Sequence, residues 1–130
     1  MRRAVGFVVA LLLGIASALS AAMVPCSIHP KKGARKDALA AMAKISQADA
    51  QKAAFGVLKN PAKAVVKDAE LEAEHGCLVY SFDIALAGEP GIEEIQVDAG
   101  NGKVLSKKHE SPAVEAAEKA KDKAGAAPKN

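Results

Sequence analysis

Between Cys77 and Leu86 the chain alternates side chains without a break. Leu78, Tyr80, Phe82, Ile84 and Leu86 stand on one parity, and Val79, Ser81, Asp83 and Ala85 on the other. A period of two over this length is the pattern of a β-strand with one face in a core. It restricts the chain to folds that set a sheet against a second layer. Neighbouring runs repeat the pattern: Leu71 and Ala73 alternate with Glu70, Glu72 and Glu74, and Ile95 and Val97 alternate with Glu94, Gln96 and Asp98. Val104 and Leu105 form a short last strand. His75–Gly76, Gly88–Gly91 and Gly100–Gly102 supply the turns between them.

A helical period precedes the strands. Asp37–Ala43 predicts a short helix with Leu39, Met42 and Ala43 on one side. Ser46 is a good N-cap, with Asp49 three residues on and Ile45 placed to staple onto the first turn. From Gln47 to Lys59 the apolar positions Ala50, Ala53, Ala54, Val57 and Leu58 predict an amphipathic helix of about three turns, which Asn60 and Pro61 end. The expected fold class is α+β: one or two N-terminal helices packed on one face of a three- to four-stranded antiparallel meander sheet. Only Phe7, Phe55, Tyr80 and Phe82 are aromatic, so the core is thin. The face left uncovered should present Glu70, Glu72, Glu74, Asp83, Glu94, Gln96 and Asp98, and Cys77 shares its parity.

Four segments are expected: a signal peptide at 1–22, a flexible leader at 23–36, the folded domain at 37–110, and an Ala/Lys-rich helical or disordered tail at 111–130. Arg2 and Arg3 precede an uncharged run from Ala4 to Ala22 that ends in small residues, as a secretory signal does. Cleavage before Met23 is expected, with Ala18 and Ser20 marking a second register. A retained anchor is the competing reading, because about 19 apolar residues can just span a bilayer. Pro25 before Cys26 argues against lipidation.

Export implies a periplasmic or secreted protein. Removing two arginines leaves 16 basic residues against 15 acidic, so the net charge falls from +3 to +1. That leaves no basic field for nucleic acid. No membrane contact is expected after cleavage. The acids are segregated, since Asp68 through Asp98 holds nine of them and no Lys or Arg. In an oxidising compartment Cys26 and Cys77 can bridge, closing a loop worth about 4 kcal/mol. Two free or intermolecular thiols are the open alternative.

Candidate chemistry is sparse. None of the serines sits in a Gly-flanked elbow, and an exposed row of glutamates lacks the burial that separates an acid from a base. Tyr80 and Phe82 share the core parity and have no basic neighbours on their strand, which excludes a stacking platform for single-stranded nucleic acid. His75 and Cys77, two apart on a strand, offer ligands to a soft or borderline metal, although no further His or Cys lies at ligand spacing. The expectation is no enzyme, no catalytic residue, no cofactor and no dedicated metal site.

The run from Ile45 to Glu110 resembles the PepSY family. The residues that carry the likeness are ISQADAQKAA at the helix start, the E-HG-LVYSFDI strand centred on Tyr80, and the EIQVDAGNGKVLS ending. In that ending Val97, Asp98, Ala99, Gly102, Lys103 and Val104 are similar to the family's V-D-A-x-x-G-K-V turn. The likeness covers about half the chain. The sequence departs from the family at Cys77, where a polar residue is usual, and in its tail.

The resemblance implies a helix packed on an antiparallel sheet, with no shared catalytic residues. It also implies a binding or inhibitory module acting on a peptidase or another envelope protein, in trans because no protease domain accompanies it. The expected partner surface is Glu70, Glu72, Asp83, Glu94 and Gln96. The alternative is a periplasmic metal- or cation-binding accessory protein using His75, Cys77 and nearby carboxylates. Oligomeric state is left open.

Overall fold

The computed structural model describes residues 25–125. The signal run, its cleavage position before Met23 and the last five residues lie outside the described residues. In order come helices α1 (Lys36–Met42) and α2 (Gln47–Gly56), a 3-10 turn (Pro61–Lys63), strands β1 (Ala64–Glu74), β2 (Cys77–Leu86), β3 (Ile92–Asp98) and β4 (Val104–Glu110), and helix α3 (Pro112–Gly125). The strands form one antiparallel sheet in the order β1-β2-β3-β4, the α+β meander that the alternation predicts.

Register follows the apolar pattern. Leu71 pairs with Tyr80, Ala69 and Ile95 flank Phe82, and Tyr80 pairs with Val97, so these side chains share one face. Leu78, Phe82, Ile84, Ile95 and Val97 are fully buried there, with Ala50 and Ala54 of α2 and Leu39 of α1 on top. Burying a side chain of that size contributes about 1.5–3 kcal/mol, so the five large ones dominate the thin core. Tyr80 turns its hydroxyl to donate to the Ile45 carbonyl at 2.9 Å, satisfying its polar end inside the cover.

Local chemistry explains the element ends. Ser46 Oγ accepts from the Asp49 amide at 3.1 Å, the expected N-cap. α2 ends at Gly56, short of Asn60. Glycine is a poor helix residue, and the Leu58 amide bonds the Phe55 carbonyl at 3.1 Å, a tighter turn that swings Leu58 into the core. Lys107 Nζ then donates to the free Val57 carbonyl at 3.0 Å. β1 carries a bulge between Val66 and Asp68, which shifts its parity by one, so that Ala64 and Val66 before it and Ala69 and Leu71 after it all pack against the core. β4 runs on to Glu110, beyond the two residues that the apolar signal marks, because its later residues pair with β3 through the backbone.

The leader departs from the expectation of a free segment. The Ile28 carbonyl accepts from the Leu78 amide at 3.0 Å, and Cys26 is joined to Cys77 by a disulfide, with Cα atoms 5.9 Å apart. Of the two readings left open for the cysteines, the intramolecular bridge holds. The loop closed by 51 residues of separation is worth about 4 kcal/mol in the chain-entropy account.

Asp98 is a second correction. Its parity assigns it to the open acidic face, yet it is fully buried, and so is Val79 opposite it. Ser27 lies over it, giving both its amide (2.7 Å) and its hydroxyl, while the amides of Gly100 (2.7 Å) and Asn101 (3.3 Å) close on the same carboxylate from the turn. The next residue completes the corner. Ala99 donates to the Leu78 carbonyl, and its own carbonyl accepts from Lys44 and Ile45 at 2.9 and 3.1 Å.

Candidate partner-binding face

The sheet face away from α1 and α2 is built by register. Asp68 stands opposite Asp83, which stands opposite Glu94; Glu70 faces Ser81, which faces Gln96; Glu72 faces Val79 and Glu74 faces Cys77. Like charges directly across a ladder are destabilising. Here two such pairs share one residue, Asp83, while a cation, Lys108 of β4, stands opposite Glu94.

Helix α3 folds back toward this face. Within it Lys119 Nζ donates to Glu115 one turn earlier, at the four-residue spacing that supports a helix. A cleft of about 510 Å³ opens between helix and sheet, walled by Asp68, Glu70, Glu72 and Glu74 of β1, Ser81 and Asp83 of β2, Glu94 of β3, and Glu118 and Asp122 of α3. Of the sequence-derived surface, Glu70, Glu72, Asp83 and Glu94 come together in this cleft. Gln96 sits beside it, with its Nε2 3.4 Å from a Glu94 carboxylate oxygen. Glu118 and Asp122 join them from α3. Their four-residue spacing puts them on one helix face, but nothing in the tail indicates which way that face turns.

Electrostatics follow from this crowding. Partial burial, then Glu74, Glu70 and Glu94, push the Glu72 carboxyl above its ordinary value against a lowering hydrogen bond from Ser81. Partial burial, then Asp68, Glu110, Glu115 and Glu118, do the same for Asp83. Glu110 is raised by burial and by the Glu94 carboxyl beside it. Lys119 is raised by its bond to Glu115. Asp98 moves the other way: burial alone would raise it, but donors from Ser27, Gly100 and Asn101 hold it below the usual carboxylate range. One face thus resists full ionisation, whereas the corner beside it depends on an ionised acid.

The sequence-level metal pair does not form a cluster. His75, at the turn with φ +48°, places Nδ1 3.3 Å from Glu74, and Cys77 is taken up in the disulfide. The group with ligand geometry among the described residues is Cys26, His29 and Cys77. No helix among the described residues is long and apolar enough to cross a membrane.

Comparison with protein-family profiles, curated proteins and solved structures gives no match for this chain.

Proposed function

We propose that this is an exported, non-catalytic binding module that takes a basic segment of a protein partner against its acidic sheet face, and that the partner is a peptidase or another envelope protein. The observation that carries the reading is the walled cleft in which carboxylates from three strands and α3 oppose one another with few cations among them. Arg or Lys side chains entering that cleft would relieve repulsion that the free protein sustains at neutral pH. The likeness of Ile45–Glu110 to the PepSY family supports the choice of a peptidase, acted on in trans.

The test is a pull-down from an envelope extract, comparing the native chain with a Glu72→Lys/Glu94→Lys variant. The native chain should retain partners that the variant loses and that elute as ionic strength rises, since contacts across an exposed charged face are screened by salt. An unchanged set of bound proteins would remove the acidic face from the account.

A further inference from the structure

The disulfide has a third group beside it that its stapling role does not use. His29 follows Cys26 by three residues, and its Nδ1 and Nε2 stand 3.6 and 4.0 Å from the Cys26 sulfur. The two sulfurs and a His29 ring nitrogen lie within 4.8 Å of one another. Nδ1 is also 3.1 Å from the Gly76 carbonyl oxygen. A carbonyl only accepts, so in the neutral ring the proton is on Nδ1 and the Nε2 lone pair is left bare. A remote N–H held by a backbone carbonyl is how metal-binding histidines are commonly oriented. Gly76 immediately precedes Cys77, so one ligand and the group that orients another ride on the same turn.

We propose that reduction of the Cys26–Cys77 bond converts this corner into a three-donor site for Zn²⁺ or Cu⁺, ions that favour thiolate and imidazole. The ligands are Cys26 Sγ, Cys77 Sγ and His29 Nε2, and the bond between the sulfurs is the lock that keeps the site closed. The donors remain neighbours after reduction because the leader has other anchors: the Ile28 carbonyl on the Leu78 amide and Ser27 on Asp98. The site does not depend on the proposed partner surface, since it uses different residues.

The reductant is a dithiol of the kind carried by thiol–disulfide oxidoreductases. One of its thiolates attacks the Cys26 sulfur on the leader, forming a mixed disulfide and expelling the buried Cys77 sulfur as a thiolate. Its second thiol attacks the reductant's own linked sulfur and releases Cys26. Two electrons reach the cysteines, the dithiol leaves as a disulfide, and its two protons go to the cysteines or to water. Metal binding sends any remaining thiol protons to solvent. Bonds of about 2.3 Å to sulfur and about 2.0 Å to nitrogen set the sulfurs about 3.8 Å apart in a tetrahedral site. Rotation of the two side chains from Cα atoms 5.9 Å apart reaches that spacing.

The test uses the mature chain, oxidised or reduced by a phosphine, with Zn²⁺ measured by competition against a chromophoric chelator and Co²⁺ followed by absorption. The reduced chain should bind one Zn²⁺ at least about 100-fold more tightly than the oxidised chain, and Co²⁺ should give sulfur-to-metal charge transfer with tetrahedral d–d bands. His29→Ala should weaken Zn²⁺ about 10- to 100-fold and shift the d–d bands while the sulfur band stays. Equal affinity in the two redox states overturns the proposal, as does His29→Ala binding like the parent. Far-UV circular dichroism guards against a trivial result. A reduced chain that loses its sheet signal and does not regain it with Zn²⁺ also overturns the idea, because the donors are then not held together.

Discussion

Replacing Asp98 removes the acceptor on which four donors converge, and the geometry predicts a graded response. Three of the four, the Ser27 hydroxyl and the amides of Gly100 and Asn101, address Oδ1, while the Ser27 amide alone addresses Oδ2. Asp98→Asn can keep Oδ1 in place and turn its amide toward the Ser27 N–H, so it loses one bond and sets two donors face to face. That should cost about 1–2 kcal/mol. Asp98→Ala strands the two turn amides in a buried site, at about 1–3 kcal/mol each, while Ser27 can rotate to water. A loss of about 3–4 kcal/mol is expected, a large share of the stability of a domain this size.

Urea unfolding of the oxidised protein at pH 7, followed by far-UV circular dichroism, measures both. The acid is depressed in the fold, so its contribution is fully present above the unfolded value near 4 and fades as pH falls through the lower folded value. The gap between Asp98→Ala and the native chain should therefore shrink in acid. Equal losses for the two variants, or an alanine loss under about 1 kcal/mol, would refute the four-donor account.

A methyl group at Gly100 would run into Ser27 Oγ and the Ile28 side chain, so Gly100→Ala should cost about 1–3 kcal/mol by the same unfolding assay, and less in a Ser27→Ala background. On the sheet face the sign reverses. Glu72 and Asp83 are raised in the fold, so their contribution is greatest below the unfolded value near 4 and is lost as pH rises through the folded value. Asp83→Asn, which removes two opposed pairs, should stabilise the protein at pH 7 by a few tenths of a kcal/mol, and Glu72→Gln, opposite Val79, by less. Both gains should vanish near pH 3; a gain that persists there would mean that charge is not the cause.

The parts of this fold that read directly from the sequence are those with local causes. Alternation assigns Tyr80, Phe82 and Ile84 to the core because a strand's side-chain period is set by its own backbone, and Ser46 marks the start of α2 through a bond spanning three residues. Parity failed at Asp98 because a segment 71 residues earlier in the chain covers it, and no periodic signal in Cys26–Pro30 reports that contact. The acidic cleft is half legible in the sequence. Its sheet wall follows from Glu70, Glu72, Asp83 and Glu94, whereas Glu118 and Asp122 arrive through the direction of α3, which depends on how the chain leaves β4.

The clamp of Ser27 on Asp98 also ties the start of the described chain to the end of its third strand. Asp98 lies 71 residues after Ser27, so a fragment that ends before it lacks the carboxylate to which Ser27 donates twice. The Ile28 carbonyl on the Leu78 amide still reaches β2 beside Cys77, so the turn after β3 adds a second hold on the leader to the one that β2 supplies.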